Sequence, residues 1–130
     1  MTVREALPRL ALNVPLIARK TASEVERILG KPSKCSRLQL NGQVRNIYRN
    51  GAIEVVFIEG KASWIKLFDT RDLAFGIDAL PKLGLPPVKP TYVNRKHVMS
   101  WGNVSNLKEV SLYSNGNTGV SYVLICACVS

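Results

Sequence analysis

The chain has 130 residues, 46% of them hydrophobic, and carries 18 Lys and Arg against 9 Asp and Glu, a formal charge of +9. That length suits one domain spanning residues 1–130, or two small units sharing a core, and the apolar content excludes a disordered segment. No run of eighteen apolar residues occurs, so no membrane-spanning helix is expected.

The charge is uneven: residues 1–49 hold ten basic and three acidic side chains, and residues 50–130 hold eight and six. A cationic first third attracts polyanions: nucleic acid, anionic lipid or the acidic face of a protein. The first residues show no apolar leader and no lipobox cysteine, and the three cysteines, Cys35, Cys126 and Cys128, are an odd set. Both features point to a reducing, cytoplasmic setting, or to the periplasm if a leader has been removed.

Residues 3–18 are apolar and broken by Pro8 and Pro15, which leaves room for a short helix and a turn. Thr21-Ala22-Ser23-Glu24 has capping-box spacing. Val25, Ile28 and Leu29 follow at helical period, and Gly30 and Pro32 end the helix. From Arg37 the pattern alternates through Leu38, Leu40, Val44 and Tyr48, with Asn41-Gly42 as a turn. Asn50-Gly51 and Glu59-Gly60-Lys61 bracket strands over residues 53–58 and 62–68, giving a meander. Leu73, Ile77, Leu80 and Leu83 return to helical spacing, but Pro81 shortens this second helix and moves its start toward Asp78. A proline-rich loop carrying Arg95, Lys96 and His97 follows, then strands near residues 98–101, 107–113 and 119–129.

The halves echo one another, Leu29-Gly30-Lys31-Pro32 being matched by Leu83-Gly84-Leu85-Pro86. The expected fold class is therefore α+β: two helix-plus-antiparallel-meander repeats, over about residues 14–68 and 73–128, sharing a core or a sheet. The stretches 14–32 and 48–65, a helix ending in Leu-Gly-x-Pro and then Tyr48-Arg49-Asn50-Gly51 leading into strands, resemble the SmpA/OmlA small-lipoprotein domain and the β-lactamase-inhibitor-protein-like fold. That resemblance implies a non-enzymatic module that holds a protein partner on its sheet face.

No His-Glu-x-x-His, Gly-x-Ser-x-Gly or phosphate-cradling loop is present, so no catalytic residue, cofactor or metal is assigned. Cys35, Cys126, Cys128 and His97 lack zinc-knuckle spacing, and nothing in the sequence brings Cys35 to His97 as a dyad. Asp69, Asp72 and Asp78 sit where carboxylates satisfy helix-start N–H groups.

Binding is the better reading, because both faces of the central strands are partly apolar. Trp64, Lys66 and Phe68 fall on one face of their strand. The expected partner-binding set is Tyr48, Trp64 and Trp101 as aromatic anchors, with Tyr113 a further aromatic and Arg45, Arg49 and Lys66 as a charged rim. The same aromatics would equally serve as core fillers between the two units. The expected function is that of an inhibitor or adaptor docking a protein through the sheet; the alternative is single-stranded nucleic acid held by the basic, aromatic face.

Overall fold

The computed structural model describes residues 11–37, 42–94 and 97–127. The expected alternation at Leu38 and Leu40, the turn residue Asn41, the loop cations Arg95 and Lys96, the thiol of Cys128 and residues 3–10 lie outside the described residues. Eight strands form one antiparallel sheet: β1 (Lys34–Arg37), β2 (Val44–Tyr48), β3 (Ile53–Ile58), β4 (Lys61–Leu67), β5 (Tyr92–Asn94), β6 (Val98–Val104), β7 (Leu107–Ser114) and β8 (Val120–Cys126). Their order is β1-β2-β3-β4-β8-β7-β6-β5. Two four-stranded meanders thus join through their last strands, with Trp64, Ile65, Lys66 and Leu67 facing Cys126, Ile125, Leu124 and Val123.

The expected α+β class is corrected by this architecture. The sheet dominates, and α1 (Ala22–Leu29) is the one helix of more than a turn among the described residues; α2 (Ala79–Lys82) has four residues. The asymmetry has a local cause. α1 begins with a complete capping box, in which the Glu24 N–H donates to Thr21 Oγ1 at 3.3 Å and the Thr21 N–H donates to Glu24 Oε1 at 3.0 Å. It ends at Gly30, whose φ of 88° is left-handed. α2 contains Pro81, which removes an amide donor, and Gly84 follows at φ 76°. Its N-cap Asp78 makes no side-chain capping bond, and Asp69 instead takes Arg71 at 2.8 Å through both oxygens, so the capping role expected of these two carboxylates is not observed.

The β3–β4 hairpin closes on the two residues Glu59 and Gly60, at φ 53° and 80°, between Ile58 and Lys61. Positive φ at both central positions matches the twist of the flanking strands, and glycine takes it without a Cβ penalty. One residue more in β4 than in β3 produces a bulge at Ser63, so Ala62 and Ile65 both reach the core.

Among the described residues the hydrophobic core cluster lies on one side of the sheet. Leu12, Val14 and Ile17, then Val25 and Leu29 of α1, then Leu73, Leu80, Leu83 and Leu85 cover Tyr48, Ile53, Val55, Ile65, Leu67, Trp101, Val110, Leu112, Val123 and Ile125. Arg19 locks this layer in place: its N–H, at φ 64°, donates to the Ala62 carbonyl of β4 while the Ala62 N–H donates to the Lys20 carbonyl, and the Arg19 guanidinium donates to the Asn106 carbonyl at 2.6 Å and the Ala127 carbonyl at 3.0 Å. One side chain from the N-terminal segment therefore holds the β6–β7 turn and the end of β8. No helix among the described residues is long and apolar enough to cross a membrane.

Candidate functional site: the open sheet face

Because side chains alternate along a strand, the residues between the core positions project from the other face, which no helix among the described residues covers. Register places them in rows across the strands. One row runs Ile47, Glu54, Lys66, Leu124, Ser111 and Ser100; a second runs Ser36, Arg45, Val56, Trp64, Cys126 and Glu109; a third joins Phe68, Tyr122, Tyr113 and Val98. Trp64 is 39% exposed and Phe68 44%, on a face that also bears the partly covered Val56, Ile58, Tyr122 and Leu124.

The third row forms a ridge. Tyr113 and Tyr122 stack with ring centroids 4.5 Å apart and planes 13° from parallel, and Phe68 leans on Tyr122 at 6.2 Å. Tyr122 thus has a ring packed against it from either neighbouring strand, which leaves less of its face free than on the open platforms where nucleic-acid bases stack. Burial pushes the Tyr113 phenol up from its ordinary pKa, with Tyr122 and Glu109 beside it adding to the shift, so this hydroxyl stays protonated at physiological pH.

The polar residues fall in the first two rows, and their charges are of both signs. Glu54 and Lys66 face each other across β3 and β4. Ser111, 1% exposed, donates to Glu109 Oε2 at 2.8 Å and lies 2.9 Å from the Ser100 hydroxyl. Arg45, flanked by Ser36 and Val56, keeps a buried Nε with no hydrogen-bond partner.

The expected site residues divide. Trp64, Lys66 and Arg45 lie on the open face, with Tyr113. Tyr48 and Trp101 do not, and their expected place as surface anchors is corrected: Tyr48 is 0% and Trp101 1% exposed, each pointing into the core on the opposite strand parity. Each has a polar tip satisfied inside. The Tyr48 hydroxyl accepts from Asn46 Nδ2 at 3.0 Å, and Trp101 Nε1 donates to the Val88 carbonyl at 2.7 Å. Arg49, at φ 52°, sits in the turn after β2, beyond the end of the face. Tyr122, at the centre of the ridge, was absent from the expected set, although its spacing of two from Leu124 marks a shared face.

Sheet order also separates the residues considered for nucleophilic or metal chemistry. Cys35 is on β1 and His97 in the turn between β5 and β6, so six strand spacings, roughly 29 Å, lie between them. Cys35 and Cys126 are four spacings apart, roughly 19 Å, well beyond the reach of a disulfide. Among the described residues no group of three His, Cys, Asp or Glu is placed to hold a metal ion.

No family model matches the chain, and no curated protein matches it. Among solved structures it is similar to the 1.5 Å crystal structure of an extracellular protein containing an SCP domain from Bacillus anthracis str. Ames, at 12% identity and a TM-score of 0.53. The match covers 88% of this chain and 45% of that one, so the chain spans less than half the length of the protein it resembles, and the likeness is one of fold alone.

Proposed function

We propose that this chain is a non-enzymatic protein-binding module, of the inhibitor or adaptor kind, that docks a protein partner through the open face of its sheet. The observation that carries the reading is one-sided cover. Helix and loops shield one face, while the other presents Trp64 and Phe68 exposed beside Tyr122 and Leu124, across the pair of strands that joins the two meanders. Exposed aromatic and aliphatic side chains interleaved with a few charged ones, Lys66 lying between Trp64 and Phe68, are a composition found at protein interfaces.

The open face supports a protein more than a nucleic acid. Tyr113, Tyr122 and Phe68 pack on one another, and Glu54 and Glu109 lie among the cations of the face, where a phosphate chain would meet repulsion. The test is to recover the protein from its native host at moderate salt and compare it with Trp64→Ala and Phe68→Ala. A stoichiometric protein retained by wild type and lost by both variants supports the reading. Nuclease-sensitive material that falls away steeply with salt refutes it in favour of nucleic acid.

A further inference from the structure

The docking reading leaves the chemistry of the partner open, and Arg45 narrows it. Its guanidinium lies on the open face in the row Ser36, Arg45, Val56, Trp64, two strands from Trp64. Arg71 shows what a paired arginine looks like in this protein: its Nε and one terminal nitrogen donate to the two oxygens of the Asp69 carboxylate, each at 2.8 Å. Arg45 has no such acceptor. Its Nε is shut off from solvent without a hydrogen bond, and Glu54, the acidic residue diagonal to it on β3, makes no ion pair with it. A buried donor left without an acceptor forfeits the hydrogen bond it had with water, and a group that supplies the acceptor recovers that loss.

We infer that Arg45 is the carboxylate-recognition point of this face: the protein partner presents an Asp or Glu side chain to it, beside an apolar residue seated on Val56 and Trp64. The inference rests on the docking reading. The guanidinium edge formed by Nε and one terminal nitrogen matches the two oxygens of a carboxylate, so rotation of the side chain outward converts a dry, unsatisfied N–H into half of a bidentate pair. A single cation between Val56 and Ile47, with Glu54 nearby, suits one isolated carboxylate. Tracking a phosphate backbone needs a continuous cationic path, and the row from Arg45 to Glu109 contains no second cation. Lys34, on the neighbouring strand beside Ile47, adds attraction at the rim.

The experiment uses the whole 15N-labelled chain and follows the arginine Nε–Hε cross-peaks while sodium acetate replaces chloride at constant ionic strength. The Arg45 cross-peak should shift along a saturating curve, whereas that of Arg71, already paired, stays in place. Arg45→Gln should abolish the saturable response of the Ser36 and Val56 amides, and Arg45→Lys should fail to restore it; the amide spectra of both variants report that the fold is kept. A stationary Arg45 peak, or one that drifts linearly like that of the exposed Arg27, overturns the assignment. Inorganic phosphate binding tenfold or more tightly than acetate also overturns it, because the point would then recognise phosphate. The two readings fail separately: a silent Arg45 in a chain whose partner capture still depends on Trp64 removes only this assignment, and capture indifferent to Trp64 removes only the docking face.

Discussion

Trp64 and Trp101 are the two tryptophans of the chain, and they test the division between open face and core directly. Trp101 is 1% exposed, packs in the core cluster and donates to Val88. Its replacement by alanine leaves a cavity, about 3–5 kcal/mol for a residue of this size, and loses a hydrogen bond of about 1 kcal/mol. Against a total stability of about 5–15 kcal/mol, a loss near 5 leaves a marginal fold. Trp64 has about three-fifths of its surface covered. Taking about 200 Å² for a fully buried tryptophan and about 25 cal/mol per Å², that cover is worth about 3 kcal/mol. Allowing for what the alanine and a compact unfolded chain still bury brings the loss to about 2 kcal/mol. In a chain of this length each kcal/mol moves the melting temperature by about 3–4 °C, so Trp101→Ala should melt some 15–20 °C below wild type and Trp64→Ala some 6–8 °C below. Urea unfolding and thermal melts followed by circular dichroism read both losses. Each variant also keeps one tryptophan, so emission from Trp64→Ala reports a buried indole and emission from Trp101→Ala a wetter one. A larger stability loss at Trp64, or the reverse order of emission, would refute the assignment of faces.

Other expectations follow from contacts elsewhere. Thr21→Ala breaks the capping box of α1 and should lower stability by about 1 kcal/mol, while Thr21→Ser restores most of it, as urea midpoints will show. Arg19→Ala removes two charge-assisted bonds to the Asn106 and Ala127 carbonyls; the expected loss is about 2 kcal/mol, with hydrogen exchange accelerated at the β6–β7 turn and the end of β8. Glu24 is held below its ordinary pKa by the Thr21 N–H and then the Thr21 hydroxyl, and Asp69 by its hydrogen bonds to Arg71. Folded-state values below the unfolded ones mean that both contributions are complete above the ordinary carboxylate range and vanish as pH falls through the depressed values. Carboxyl titration by NMR should accordingly find the Glu24 midpoint below the ordinary glutamate value, and Thr21→Ala should move it back up. Tyr48 is shifted the other way, raised mainly by burial, so its contribution is present below the ordinary tyrosine range and is lost as pH rises through the raised value; Tyr48→Phe should flatten the alkaline limb of the stability profile.

Local chemistry made part of this fold legible. The capping box, Gly30 and the Glu59-Gly60 turn each act within a few residues, and the elements they bound, α1, β3 and β4, appear within a residue or so of where they are expected. The extent of β6 was not legible, because Gly102 and Asn103 are residue types that interrupt strands, yet β6 runs through them to Val104 and the chain turns only at Ser105 and Asn106, both in the left-handed region. The weight of the two halves misled for a related reason: leucine spacing over residues 73–83 is helical, but Pro81 and the bend at residues 75–78 let only one turn form. The site was half legible. Parity grouped Trp64, Lys66 and Phe68 on one face, yet Tyr48 and Trp101 sit on strands whose two faces are both partly apolar. Which face meets the helix there is decided by strand pairing across the whole sheet, information that no single strand carries.

The junction of the two meanders also bears on how fast this protein folds. Every other pairing in the sheet joins neighbours along the chain, several through short turns, whereas β4 and β8 pair partners such as Leu67 and Val123 from opposite halves. Closing the short loops is entropically mild, while bringing β4 to β8 encloses the whole second meander in one loop. Hairpins can therefore form and dissolve within each half long before the halves meet, and the slow step is their registration along Ile65 and Ile125. Until then the hydrogen-bonding edges of both strands stand open, and a crowded chain can find the matching strand on a neighbour instead of on itself.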